Sequence, residues 1–313
     1  MRSPVLELIE VSKHFRSNWT LRTIPAVDGL SLAVDEGQVF GLIGHNGAGK
    51  TTTFKLLVGL LRPSRGTLLW EGAPLNGHQQ RATFGFSPEQ PYFYDHLTVR
   101  ETLNLYGQLY GVRADERRSR IAELARQFHI DHKLDASMRS LSKGTLQRVA
   151  VAQAILHRPR LAILDEPMSG LDPAGRKDMR ELIGSLKTAG TTVLFSSHIL
   201  SDAEALCDRV AILAGGHLAE VIDLEEDSVT PKSYTLVFVD APQAAIEALR
   251  RLASEPLAGG PQRWSAKLGD PSTVRAALAV LQPTAARVEA LLPERTSLEQ
   301  RFLQYVTNGS ESD

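Results

Sequence analysis

Residues 44–52, Gly-His-Asn-Gly-Ala-Gly-Lys-Thr-Thr, contain the spacing G-x-x-x-x-G-K-[ST] in full. Gly44, Gly47 and Gly49 let the backbone curl through His45, Asn46 and Ala48 so that successive N–H groups face inward, a cradle for phosphate. Lys50 can reach the β- and γ-phosphates of a nucleotide, and the Thr51 hydroxyl can hold Mg²⁺. A glycine-rich turn could match this spacing by chance. The apolar run VFGLIG (39–44) before it and the helical pattern from about Lys50, with Thr52 in its first turn, argue against that.

A second group of chemical residues ends another apolar run, LAILDEP (161–167). Asp165 emerges where an aspartate would hold Mg²⁺ directly or through water, and Glu166 is placed to polarise a water against a γ-phosphate. Two acids at a strand end are often a solvated loop, but the upstream phosphate loop weighs against that here. His198 follows the run TTVLFSS (191–197), on the ligand side of an open parallel sheet, within reach of a γ-phosphate or its attacking water. A lone histidine is more often structural; the ordered set around this one favours a ligand.

A third stretch, LSKGTLQRVAVAQAIL (141–156), places Ser142, Lys143 and Gly144 at the head of a helix. A hydroxyl, free backbone N–H groups and a helix dipole make an anion site. The chain already has a phosphate loop for its own nucleotide. A second anion site is most simply explained if it serves the nucleotide of another copy.

These residues need elements to hold them. The runs at 39–44, 161–166 and 191–197 are short, β-branched and unalternating, as in parallel strands covered on both faces. Asp172-Pro173 reads as an N-cap followed by Pro at N1, and Gly190 as the end of that helix. The helix after Lys50 is expected to end near Arg62-Pro63, and the strand RVAIL (209–213) to turn at Gly215-Gly216. The expected fold is α/β: a P-loop NTPase with a parallel core sheet and antiparallel strands near the N-terminus. Residues 1–223 form this domain and 224–233 a linker. Residues 234–313 form a small α+β accessory domain, with a capping box between Thr296 and Glu299 before the last helix and a frayed tail. No catalytic constellation occurs after Asp223; Trp264 reads as a core or edge aromatic.

Composition narrows the partners. The 313 residues are 42% hydrophobic, with net charge −1, so global electrostatics gives no argument for a nucleic-acid partner. Cys207 is the only cysteine, which excludes an intrachain disulfide. The N-terminus lacks a signal-peptide core, and no apolar run approaches the ~18 residues of a membrane span. The expectation is a soluble chain whose membrane role, if any, needs a partner.

Over residues 1 to about 220 the sequence resembles the ATP-binding subunits of ABC transporters, with the motifs in the family's order. LSKGT-LQR is similar to its signature, LAILDEP to its Walker B, SGLD (169–172) to its D-loop, and His198 to its switch histidine. The resemblance implies an ABC cassette in which a helical subdomain carries the signature, and an ATPase with ATP and Mg²⁺ as cofactors. Lys50, Glu166 and His198 would carry the chemistry, and Phe15 would stack on adenine. Ser142, Lys143, Gly144 and Asp172 would meet the other subunit's nucleotide, in a second copy or a paralogous cassette. The remaining partners would be integral membrane permease subunits, with the chain peripheral on the cytoplasmic face of the membrane and transport directed outward. In this sequence Lys143 and Thr145 replace the usual glycine and glutamine of the signature.

In FSPEQPYFYDHLTVRETL (86–103) the family's metal-contacting glutamine is replaced by Glu89, with Gln90 next; either can serve. The aromatic cluster Tyr92, Phe93, Tyr94 would lie near the groove that receives a permease helix. Two rival readings remain. One is a soluble ABC ATPase acting on ribosomes or DNA, weakened by the single cassette and the lack of a long heptad tract. The other is a binding module without hydrolysis, which conflicts with Lys50, Asp165, Glu166 and His198.

Overall fold

The short apolar runs become fully buried strands because the sheet they form is covered on both faces, by helices on one and by a helix and a second sheet on the other. The structure is a computed structural model and describes residues 4–16, 23–225, 233–260, 263–294 and 298–309. In chain order the first elements are β1 (Pro4–Arg16), β2 (Thr23–Asp35), β3 (Val39–Ile43), α1 (Lys50–Leu57), β4 (Arg65–Trp70), β5 (Ala73–Pro74) and α2 (His78–Arg81). There follow β6 (Phe84–Ser87), α3 (Val99–Leu109), α4 (Ala114–Gln127), α5 (Lys143–Ala154), β7 (Leu161–Leu164) and α6 (Pro173–Thr188). Then come β8 (Thr192–Ser197), α7 (Leu200–Leu206), β9 (Arg209–Ala214) and β10 (His217–Asp223).

The central sheet has the order β10-β9-β3-β8-β7-β6. β3 runs parallel to β8 and β9, and β7 parallel to β6 and β8; only β10 is antiparallel to its neighbour. A second, antiparallel sheet has the order β2-β1-β4-β5. Its inner residues Leu6, Leu8, Leu30 and Val34 share one core with Phe40 and Leu42 of β3 and with Phe54 and Leu57 of α1. The helices α3 to α6 build a second core around Leu103, Leu124, Phe128 and Val149, joined to Leu164 and Phe195 of the central sheet. Each such side chain contributes about 1.5–3 kcal/mol by leaving water. α1 is shorter than its sequence pattern suggests: it ends at Leu57, and Gly59 turns the chain at φ +79°. α6 is capped at Ala189, and Gly190 follows with φ +86°, a left-handed position that glycine occupies without a Cβ penalty.

By their contacts, the described residues up to Asp223 and from Phe302 to Gly309 form one compact unit and those between Leu224 and Arg301 another. The second contains β11 (Ser233–Val239), α8 (Gln243–Leu252), β12 (Ala258–Gly260), β13 (Arg263–Leu268), α9 (Pro271–Leu281) and β14 (Arg287–Glu294). Its strands are antiparallel in the order β12-β13-β11-β14, a split β-α-β-β-α-β arrangement. Leu236, Phe238, Ala266 and Leu268 face Ile246 and Leu249 of α8 and Val274 and Leu281 of α9, and Trp264 packs at the margin of this core. β12 is missing from the sequence reading because Ala258-Gly259-Gly260 carries no strand pattern. The last helix, α10, spans Leu298–Gly309, and its residues 302–309 group with the first unit rather than with 224–301. Most of the expected linker 224–233, the cap at Thr296 and the end of the tail lie outside the described residues. Among the described residues no helix is long and apolar enough to cross a membrane.

Candidate functional site

The parallel pairing of β3, β8 and β7 sends their C-terminal ends to one edge of the sheet, and the three chemical segments meet there. A cavity of about 440 Å³ opens at that edge. It is lined by the loop from His45 to Thr52, by Ala26 of β2, and by Glu89, Glu166, Ser169 and His198. The loop adopts its cradle shape because Gly47 and Gly49 take φ +85° and +104°, where a side chain would be strained. At Gly44 a Cβ would lie 2.7 Å from the carbonyl oxygen of Leu213, so the loop packs directly on β9. Gly49 caps α1, whose N-terminus therefore points its free N–H groups at the cavity.

Lys50 is 6% exposed at its side chain, and its Nζ donates to the carbonyl oxygens of Gly44 at 2.6 Å and His45 at 3.3 Å. The same Nζ lies 3.3 Å from Oε1 of Glu166. The other Glu166 oxygen is 2.8 Å from Nδ1 of His198. Glu166 thus bridges the lysine of one strand-loop and the histidine of another. It leaves β7 at φ +47°, a left-handed turn that directs its side chain back over the sheet edge.

Asp165 is nearly fully buried, and burial raises its pKa; hydrogen bonds from the Ser196 and Thr51 hydroxyls act in the opposite direction. The Ser196 hydroxyl donates to Oδ1 of Asp165 at 2.7 Å and accepts the backbone N–H of Glu166 at 2.8 Å. One buried serine therefore orients both acids. It was not singled out in the sequence, where the sign was a polar residue at the end of an apolar strand, two positions before His198. A buried carboxylate beside a threonine hydroxyl is a hard-oxygen pair suited to Mg²⁺, which takes few protein ligands and relies on substrate phosphates for the rest. Among the described residues no group of three or more His, Cys, Asp or Glu forms a self-sufficient metal site.

Glu89 lines the cavity, whereas Gln90 is not among its lining residues. Phe15 is 41% exposed on β1, with Lys13 Nζ 5.4 Å from its ring centre. It pairs with Ile24 on β2, the strand that supplies Ala26 to the cavity.

Ser142, Lys143 and Gly144 do not line this cavity. Ser142 caps α5: its Oγ accepts the N–H of Thr145 at 3.3 Å and lies 2.9 Å from the Thr145 hydroxyl. Asp172 caps α6 by accepting the N–H of Gly175 at 3.0 Å. The two segments touch within the chain, since a Cβ added at Gly170 would meet Lys143 Nζ at 2.2 Å and one at Gly144 would meet Leu171 at 3.3 Å. Tyr92 and Tyr94 are 88% and 59% exposed. Phe93 corrects the expectation of a continuous aromatic contact surface: it is only 7% exposed and packs edge-on against Tyr106 at 5.9 Å, inside the helical core.

A family model described as ABC transporter matches residues 27–169. An uncharacterized ABC transporter ATP-binding protein of Synechocystis sp. is 40% identical over 97% of this chain and 85% of its own length. The Nod factor export ATP-binding protein I of Ralstonia nicotianae is 39% identical over 61% of this chain and 60% of its own length. A solved ATP-binding subunit of an ABC transporter is 34% identical and superposes with a TM-score of 0.63 over 72% of this chain and 92% of that one.

Proposed function

This chain belongs to the family of ABC transporter ATP-binding proteins, and from that premise we propose that two cassettes close head to tail around two ATP molecules to drive transport through a separate membrane permease. The second cassette is another copy or a paralogue. The observation that carries the reading is Glu166, held in one cavity between Lys50 of the phosphate loop and His198 after β8.

The phosphate loop binds the nucleotide through its backbone N–H groups, and Lys50 exchanges Glu166 for the β- and γ-phosphate oxygens. Glu166 is the general base that takes a proton from the attacking water. His198 fixes the Glu166 carboxylate through their 2.8 Å contact and presents its ring to the γ-phosphate side. Thr51 and Asp165 are the residues that would hold Mg²⁺, with Glu89 rather than Gln90 completing the oxygen set, because Glu89 lines the cavity. When bound, Mg²⁺ neutralises the charge that builds on the β- and γ-phosphates. Phe15 stacks on the adenine.

Ser142, Lys143, Gly144 and Asp172 serve the nucleotide held by the opposite cassette. Their position outside this chain's own cavity supports that role. Exposed Tyr92 and Tyr94 are the contact offered to a permease helix, an amphipathic segment laid in a groove. The likeness to an export ATP-binding protein supports outward transport, with the chain peripheral on the cytoplasmic face of the membrane.

The test is to tag the Glu166→Gln variant, solubilise membranes with ATP present and identify what co-purifies. A multi-span membrane protein supports the transporter reading. Ribosomes, DNA-repair factors or no partner would replace it with a soluble ABC ATPase.

A further inference from the structure

Asp202 on α7 has no exposed surface, yet it carries a carboxylate and is not among the residues that line the cavity. Both its oxygens are occupied by arginines of α6. Oδ2 accepts from Nε and Nη2 of Arg176 at 3.1 and 2.8 Å, and Oδ1 accepts from Nη1 of Arg180 at 2.6 Å. Arg176 and Arg180 are one helical turn apart, so a single acid is gripped by two successive turns of α6.

Each helix in this pair starts at a functional segment. α6 begins at Asp172, whose carbonyl accepts the N–H of Arg176 at 2.9 Å, so Arg176 belongs to the helix's first turn. α7 begins two residues after His198, and the N–H of Asp202 bonds to the carbonyl of Ile199 at 3.2 Å. Ser197 closes the intervening turn through its hydroxyl, which accepts the N–H of Ile199 at 2.9 Å and donates to that residue's carbonyl at 3.1 Å. A continuous path of short contacts therefore runs from Asp172 through the ion cluster to His198, and from His198 to Glu166.

We infer that Asp202, Arg176 and Arg180 form a strut that fixes the segment meeting the opposite cassette, at Asp172, relative to the histidine that orients the general base. They are positioning residues and touch neither substrate nor reacting atoms. Apolar side chains would hold two helices together at lower desolvation cost, since buried ion pairs contribute little net stability compared with hydrophobic replacements. What the charged cluster adds is direction. A carboxylate gripped by two guanidinium groups fixes the rotation and slide of α7 on α6, whereas an apolar contact tolerates both. With that link, engagement of Asp172 by a second cassette fixes His198 and Glu166; without it, closure of the pair leaves the base poorly aimed. The inference rests on the reading of the chain as a dimeric ATPase.

The experiment compares the full chain with Asp202→Asn and Asp202→Glu. Three quantities are measured: nucleotide affinity of the monomer, ATP-driven dimerisation in a Glu166→Gln background, and kcat at saturating ATP. Asp202→Asn is expected to leave the first two within about twofold of wild type while kcat falls roughly ten- to a hundredfold, with Asp202→Glu restoring most of it. An unchanged kcat in folded Asp202→Asn overturns the strut. So does a kcat loss matched by equal losses of affinity and dimerisation, which would mark a merely structural role. If Asp202→Asn does not fold, Arg180→Gln is judged by the same three measurements. A wild-type chain that neither hydrolyses ATP nor dimerises with it would instead sink the function on which the strut rests.

Discussion

Nζ of Lys50 lies 3.3 Å from a carboxylate oxygen of Glu166, and the two side chains are 6% and 9% exposed. The lysine opens α1 after β3 and the acid follows the end of β7, and β8 lies between those strands in the sheet. A carboxylate so placed pairs with the Lys50 ammonium through one oxygen and contacts His198 Nδ1 through the other, which restrains its orientation.

Replacing that carboxylate tests its role directly. Glu166→Gln keeps the shape and one acceptor oxygen but cannot take a proton. ATP binding is expected to persist, followed by equilibrium titration, while hydrolysis slows at least ~10²-fold. Turnover near the wild-type rate would remove Glu166 from the role of base.

Ser142 caps α5 and, in the proposed dimer, meets the opposite nucleotide; substitution separates the two. As the cap of α5 it contributes about 1 kcal/mol, so Ser142→Ala is expected to lower stability by about that amount in chemical denaturation. In the proposed dimer, Ser142→Phe fills the space that the other cassette's nucleotide would occupy. ATP binding by the monomer is expected to survive, with hydrolysis abolished and ATP-driven dimerisation lost in size-exclusion chromatography. Loss of monomer binding would contradict the role in the opposite site.

Glu89 and Gln90 are neighbours with different surroundings, and only Glu89 lines the cavity. Binding of Mg²⁺ in the presence of a non-hydrolysable ATP analogue is expected to weaken in Glu89→Gln and to stay near wild type in Gln90→Ala. The reverse pattern would assign the metal contact to Gln90.

His157 gives the fold a pH dependence. Its ring stacks on Tyr110 at 3.8 Å, its Nε2–H donates to the carbonyl of Phe84 at 3.1 Å, and its Nδ1 is buried without a partner among the described residues. Burial pushes its pKa down, against the smaller upward pull of the Phe84 carbonyl. The folded state therefore binds this proton less readily than the unfolded chain. The contribution to stability is full above the unfolded histidine value of about 6.5 and is lost as pH falls through and below it. Thermal melts of wild type from neutral to mildly acidic pH are expected to show falling midpoints, and His157→Gln to show a shallower decline. Parallel profiles would place the pH dependence elsewhere.

What is local in this site can be read from neighbouring residues. The phosphate cradle is made by consecutive residues, and the glycines at 47 and 49 must be glycines because the backbone there is left-handed. The strand before it, the paired acids of LAILDE and the caps Ser142 and Asp172 are legible for the same reason: each depends on near neighbours in the chain. The remaining features arise from packing between distant segments. The order β3-β8-β7 brings Ser196 against both Asp165 and Glu166. It also brings His198 against Glu166, and no spacing along the chain encodes such pairing. Phe93 is one of three adjacent aromatics in the sequence, but helix packing buries it and leaves its two neighbours in water. Glu89 and Gln90 are equally polar in the sequence, and the path of the loop after β6 places one of them in the cavity. Residues 302–309 read as part of an appended domain, yet their contacts group them with the first unit. Local backbone chemistry can be read from neighbouring letters. The meeting of distant side chains depends on how the strands and helices pack, and that follows from the burial of the whole core.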